Sequence, residues 1–375
     1  MISQFMKELA TYLLILMFFL SVLYMTATSY AADSLQGHLD QTFEEFFNHD
    51  EGGLPGGVVY ITHRGVPVYE RVFGLANVEQ GTPISLETNF RLASITKQFT
   101  AFCVLQLADR GALSLDDTID KFFPELPKIA QKVTVRHLLT HTSGIIDYED
   151  LIPDDVTDQL HDIDVLNLVA TQHGLYTPPG AAYNYSNSGY ALLALIVERV
   201  SGISYAEYLE ENIFQPLGMD TSVAYQKGIS EVENRAMGYR LVEGEYQFRD
   251  QSRTSAILGD GGIYGNVLEY ALWEESLATT QLLSQELLDD SMTRFELENG
   301  DEIDYGYGWR IFDIQGVRVV GHGGSTSGFN NFVYRAPDRD LLFIILTNRA
   351  GNSCYDLAGE VMKWLLEQDL GAASE

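Results

Sequence analysis

Apolar positions recur along this chain with two periods, and the period changes with place. Between Ser34 and His49, the residues Leu35, Leu39, Phe43, Phe46 and Phe47 share one helical face and predict an amphipathic helix. Glycines and Pro55 break it. Val58–Thr62 and Val66–Phe73 are then short runs rich in β-branched and aromatic residues, joined at Arg64-Gly65, and predict two strands. A polar connection leads to a helix that continues through Phe99–Arg110 and stops at Gly111. From there to about residue 255 the pattern is mostly helices and loops. Val135–Thr140, Leu166–His173, Ser188–Val200 and Tyr205–Ile213 read as helices, with Leu192, Leu193, Leu195 and Ile196 inward and Gly202 closing the third. Glu149–Asp164 carries many acids and reads as an exposed acidic segment, and Pro178-Pro179-Gly180 as a turn. Strands then return. Gly259–Gly265 is a glycine-rich turn beside a helix at Val267–Thr280. Tyr305–Ile311, Val317–Gly321, Asn330–Arg335 and Leu341–Thr347 read as strands, with a hairpin turn at Pro337–Asp340, and Tyr355–Glu367 as a C-terminal helix.

Strands at both ends therefore bracket a helical middle. This predicts an α+β fold (an α/β sandwich): an antiparallel sheet built from both termini and flanked by helices, with a mostly helical subdomain inserted at about 98–255. A hydrophobic fraction of 46% is ample for one sizeable core over residues 32–375.

Residues 1–31 read as a signal peptide. Lys7 supplies a weak positive start, Thr11–Met25 is nearly all apolar, and Ser29-Tyr30-Ala31 fits a cleavage site. The expectation is export to the periplasm or the extracellular space, or membrane anchoring if the segment is retained. The formal charge of −30 excludes a nucleic-acid partner, whose phosphates such a surface repels. The two cysteines, Cys103 and Cys354, have no metal-ligand spacing and are expected as buried free thiols.

Three constellations carry chemistry. Ser94 and Lys97 stand three apart, so a helix places them on one face. A serine in the first turn lies near unpaired N–H groups and the positive end of the helix dipole. A lysine tuned toward neutrality by burial can then remove its proton. The Ser-x-x-Lys pattern occurs once in the chain. Tyr185 and Asn187 stand two apart on a loop that runs into a helix, where a phenol can shuttle a proton and an amide can hold a substrate carbonyl or amide. Tyr264-Gly265-Asn266 fits the same pattern as a decoy. Gly321-His322-Gly323-Gly324-Ser325 lies between strand patterns, and its glycines let a ligand approach the backbone along a strand edge. There the N–H of Ser325 can pair with that of Ser94 as an oxyanion hole, and His322 can offer a proton donor or a cation.

Other classes fit poorly. No Gly-x-Ser-x-Gly elbow, P-loop or dinucleotide fingerprint occurs. His137 and His141 have zincin spacing, but residue 138 is Leu, so they are expected to pack or hydrogen-bond. Neither cofactor nor metal is expected.

Ser94-x-x-Lys97, Tyr185-x-Asn187 and His322-Gly323-Gly324, in this order, resemble the serine β-lactamase and penicillin-binding protein superfamily. The Tyr-x-Asn version, with His-x-Gly third, resembles the class C branch with its D-Ala-D-Ala carboxypeptidase, D-aminopeptidase and esterase relatives. Leu113–Asp117, Arg136–Gly144, Tyr185–Tyr190 and His322–Asn330 extend the likeness over roughly residues 35–368. The resemblance implies Ser94 as nucleophile and Lys97 as its activating partner. It implies Tyr185 as general base and as acid on the leaving group, with either Lys97 or Tyr185 able to be the base. Asn187, His322, Gly323, Gly324 and Ser325 would then contact substrate. Class C lactamases carry lysine where this chain has His322, a partly charged group near neutrality, which points away from a dedicated β-lactamase. The implied function is a secreted serine hydrolase that cleaves an amide or ester of a small-molecule or peptide substrate through an acyl-enzyme. The alternatives are a class C-type β-lactamase proper and a catalytically inactive binding or assembly protein of the same fold.

Overall fold

The computed structural model describes residues 35–47, 52–351, 353–368 and 370. The expected export signal over 1–31 lies outside the described residues. The chain divides into two units, Met1–Gly52 with Asp369–Glu375, and Gly53–Gln368. In the first, helix α1 spans 35–47 and buries Leu39, Phe43 and Phe47 at the spacing of one helical face. No described helix is long and apolar enough to cross a membrane.

The second unit is organised by a six-stranded antiparallel sheet. Its strands are β1 (Gly57–His63), β2 (Val66–Phe73), β3 (Arg310–Ile314), β4 (Val317–Thr326), β5 (Phe329–Ala336) and β6 (Leu341–Thr347), in the order β3-β4-β5-β6-β1-β2. The sheet is thus assembled from both ends of the unit. β6 and β1 lie side by side within it, and β6 is buried at every residue, which is why both read as continuous apolar runs. β2 forms an edge and exposes Val66 and Val72. The β1–β2 turn places Arg64 and Gly65 at φ 55° and 72°, the left-handed pair that a two-residue hairpin needs.

Alternation along the strands gives the sheet two different faces. Val58, Tyr60, Val333, Ile344 and Leu346 join a core shared with the helices of the insertion, α2 (Thr96–Asp109), α3 (Val135–Leu139), α4 (Asp162–Ala170) and α5 (Asn187–Ser201). Helix α6 (Val267–Ser276) follows the insertion and adds Trp273 to this core. On the other face, Phe332 meets Tyr355 of α7 (Cys354–Glu367), with ring centroids 5.2 Å apart. Cys103 and Cys354 are both free and buried.

Four expectations need correction. The insertion contains a β-hairpin, Tyr239–Val242 with Glu245–Phe248, that the periodicity does not reveal. Its strands have four residues each, and Glu245, Gln247 and Phe248 are exposed. The acidic segment is only partly exposed: Ile152 is buried, and α4 begins at Asp162 rather than Leu166. Asp162 is itself buried, and its carboxylate accepts the N–H groups of Leu258 (2.9 Å) and Gly259 (3.0 Å). The strand expected from Tyr305 begins only at Arg310. The strand expected to end at Gly321 continues to Thr326, so the glycine-rich stretch is itself strand.

Candidate active site

The turn that carries Ser94 is pinned from three sides. Phe90–Arg91 pairs with Tyr264–Gly265, and Leu92 donates its N–H to the carbonyl of Ile263 (2.8 Å). From the sheet, Asn331 of β5 donates to the carbonyl of Arg91 (2.8 Å). Strand β4 presses on the turn itself: a Cβ on Gly324 would stand 2.0 Å from the carbonyl oxygen of Leu92. Between these anchors Ala93 takes a left-handed φ of 51°, rare for a residue with a side chain. Ser94 follows in a single 3-10 turn that leads directly into α2, and it is half-buried.

Lys97, one turn further, is fully buried. Its Nζ donates to Ser94 Oγ (3.2 Å), Asn187 Oδ1 (2.8 Å) and the carbonyl of Asp260 (2.9 Å). These three acceptors match the three donors of an ammonium. The first and second sequence constellations therefore meet at one nitrogen. Tyr185 stands over the same group, with Nζ 5.0 Å from its ring centroid. The ring of Tyr185 is backed by His141, centroids 4.2 Å apart, whose Nδ1 accepts the N–H of Ser186 (3.1 Å). His141 is buried and held well below the usual histidine range, first by burial and then by the field of Lys97. It packs and hydrogen-bonds, as does His137, whose ring closes the cap of α3.

Asn187 opens α5. Its side chain bridges Lys97 through Oδ1 and Glu149 through Nδ2 (3.1 Å). Glu149 is exposed, and its carboxyl is raised by burial of part of the group and by the neighbouring acids Asp147 and Asp260. Asp260 is buried and raised by that burial; its carboxylate accepts the hydroxyl of Tyr148 (2.7 Å) while its backbone carbonyl faces Lys97.

His322, Gly323, Gly324 and Ser325 all lie on β4. In the register with β5, His322 faces Val333 and Gly324 faces Asn331, so both turn toward the Ser94 side. Gly323 and Ser325 alternate to the other side, and Ser325 offers this site its backbone rather than its hydroxyl. His322 is only 1% exposed. Its Nδ1 lies 2.7 Å from the carbonyl of Gly323 and its Nε2 3.0 Å from the Tyr305 hydroxyl. That pairing fits a neutral ring with Nδ1–H donating and Tyr305 donating to Nε2. Burial, then Arg310 and Lys97, hold it well below the usual histidine range. His322 is thus buried, with its two ring nitrogens beside the carbonyl of Gly323 and the hydroxyl of Tyr305.

A cation that sequence reasoning missed stands at the same cleft. Arg310 begins β3 opposite Gly321, and its guanidinium carbon lies 5.5 Å from the Tyr185 ring centroid. It is half-buried, and among the described residues no hydrogen bond or ion pair engages its side chain. β3 pairs with β4 only as far as Gly321. Beyond it, His322–Thr326 pair with β5 alone and keep one edge open, with Arg310 at its end. The decoy is explained: Tyr264 is buried, and Asn266 caps α6 by accepting from Leu268 and Glu269.

Comparison with known proteins places these features in a family. Residues 36–362 match the profile of the family described as Beta-lactamase. Penicillin-binding protein 4* of Bacillus subtilis is 30% identical over 346 residues, covering 86% of this chain and 73% of that protein. A D-aminopeptidase of Brucella anthropi is 28% identical, covering 85% of this chain but only 60% of the relative. Among solved structures, the octameric penicillin-binding protein homologue from Pyrococcus abyssi superposes with a TM-score of 0.77 at 28% identity, over 90% of this chain and 77% of the other.

Proposed function

The chain belongs to the beta-lactamase family of serine hydrolases, and on that premise we propose that it cleaves the amide bond of a short D-amino-acid peptide that ends in a free carboxylate. The observation that carries this reading is Arg310, a guanidinium with no hydrogen bond or ion pair among the described residues, at the end of the open edge of β4, in a protein of net charge −30. A peptide laid along His322–Thr326 as an added strand brings its terminal carboxylate to that guanidinium.

Ser94 Oγ attacks the scissile carbonyl. Lys97, with all three donors committed, works as an ammonium that holds Ser94 and Asn187 in place. The Ser94 proton goes to the deprotonated oxygen of Tyr185, whose ring faces Lys97 and Arg310. The backbone N–H groups of Ser94 and Ser325 hold the oxyanion. Collapse of the tetrahedral intermediate breaks the C–N bond, and Tyr185 returns the proton to the leaving amine. Water then attacks the ester on Ser94 and gives its proton to Tyr185, which passes it to Ser94 Oγ as the C–O bond breaks and the acid departs. Asn187 and Glu149 receive the acyl portion of the peptide. The N-terminal 31 residues act as an export signal and bring the enzyme to substrates outside the cytoplasm.

One observation favours a second reading. Glu149 places an exposed carboxylate beside Asn187, which suits a substrate with a free amino group, as the name of the D-aminopeptidase relative suggests. Four versions of one D-Ala-D-Ala peptide separate the two, with the amino end free or acetylated and the carboxyl end free or amidated. The proposal expects fast cleavage of both free-carboxyl forms. Dependence on the free amino end alone would replace it with the aminopeptidase reading.

A further inference from the structure

Helix α3 ends in a turn, His141–Gly144, that holds the loop before α5 along its length. The carbonyl of Gly144 accepts the N–H of Tyr176 (2.7 Å), that of Thr142 accepts Gly180 (2.8 Å), and that of His141 accepts Asn184 (2.8 Å). The two segments touch so closely that a Cβ on Gly144 would stand 2.0 Å from the carbonyl oxygen of Thr177. The series ends at the His141 side chain, whose Nδ1 accepts the N–H of Ser186 (3.1 Å). Tyr185 is thus bracketed: the residue before it is bonded to the His141 carbonyl, and the residue after it to the His141 imidazole. Its own ring lies against that imidazole, inclined by 34°. His141 makes these three contacts from a left-handed backbone, at φ 57°.

Packing alone does not account for an imidazole here. With Nδ1 accepting, the neutral ring carries its proton on Nε2. That nitrogen is buried and has no hydrogen-bond partner among the described residues. A buried donor without a partner is destabilising. An apolar ring would fill the same space without that cost, but it could not accept the N–H of Ser186. Resting on the reading of Tyr185 as the proton carrier, we infer that His141 is a positioning residue: its Nδ1 fixes the backbone beside Tyr185 and so keeps the phenol within reach of Ser94 Oγ. His141 moves no proton itself.

The test is a double-mutant cycle between His141 and Tyr185 in the full chain. It is read as kcat/KM for p-nitrophenyl acetate, a small ester whose hydrolysis needs no substrate carboxylate. His141→Phe keeps a flat ring but loses the acceptor, and activity should fall roughly 10²-fold, the scale of a misplaced reacting group. His141→Asn should stay within about tenfold of wild type, because its Oδ1 stands where Nδ1 does and asparagine tolerates the left-handed backbone. His141→Ala should behave as His141→Phe does, and it carries the comparison if His141→Phe does not fold. In a Tyr185→Phe background the His141 changes should have no further effect, since the group they displace is gone. A general loss of structure would instead lower activity in both backgrounds alike. Equal losses in both backgrounds, or a His141→Asn variant no better than His141→Ala, would overturn the inference and leave the role of Tyr185 standing. A Tyr185→Phe variant with wild-type activity would remove the proton-carrier reading, and this inference with it. A wild type without Ser94-dependent turnover of the ester would overturn the inference as well.

Discussion

Lys97 Nζ donates to Asn187 Oδ1 across 2.8 Å and joins two motifs that stand 90 positions apart in the chain. The same nitrogen reaches Ser94 Oγ and the carbonyl of Asp260. Lys97→Ala removes one donor from three acceptors at once. It should lower kcat/KM by roughly 10²–10⁴-fold, the range of a positioned proton-handling group. It should also cost about 1–3 kcal/mol of stability for buried acceptors left unpaired. Steady-state kinetics and urea unfolding of the variant check both. A variant with near-native kinetics would remove Lys97 from the reaction.

Arg310→Ala should discriminate between substrates. Loss of a charge-assisted contact worth about 1.5–3 kcal/mol predicts a fall of roughly 10- to 100-fold in kcat/KM for peptides with a free carboxyl end. The matching C-terminal amide should hardly change. Equal losses on the acid and the amide would show that Arg310 acts on the site as a whole and not on a carboxylate.

His322→Lys puts into this chain the residue that class C lactamases carry at the corresponding position. Here the ring is buried beside Arg310 and Lys97, with no carboxylate among the groups it touches. An ammonium there would be an uncompensated buried charge, and roughly 3–5 kcal/mol of stability should be lost. Chemical denaturation at neutral pH reads this directly. A stable variant with faster turnover of penicillins would mean that the position is open to substrate.

Much of the fold was legible because it rests on local pattern. β1 and β6 are apolar runs, the Arg64-Gly65 turn has its own chemistry, and Gly111 and Gly202 end their helices in left-handed conformations. Ser94 and Lys97 were legible because helix geometry alone brings them together. Arg310 was not. Its meaning comes from register, which sets it opposite Gly321 where the pairing of β3 stops. The burial of His322 depends on Tyr305, a residue that no spacing rule connects to it. Asp162 read as one more acid in a polar segment, because its partners Leu258 and Gly259 lie almost a hundred residues on.

Asp162 should also shape the pH dependence of stability. Burial raises its carboxyl to about 7, against two backbone N–H bonds that pull the other way. The unfolded value is about 3.9. The folded state therefore holds the proton more tightly between these values, so this contribution is full below about pH 4 and is lost as pH rises toward 7. Asp162→Asn cannot lose a proton. The stability gap between wild type and variant should narrow from pH 5 to pH 8, by up to about 3 kcal/mol. Urea midpoints at the two pH values measure it, and a gap that stayed constant would place the Asp162 proton elsewhere.

The most direct test of the acyl-enzyme is the intact mass of the full chain after brief mixing with benzylpenicillin, an amide that bears a carboxylate and releases slowly from acylated serines. The account predicts a gain of one penicillin in the wild type, no gain in Ser94→Ala, and slower labelling in Arg310→Ala. Labelling of Ser94→Ala at the wild-type rate would contradict it, as would a wild type that neither gains mass nor turns over penicillin or the D-Ala-D-Ala peptide.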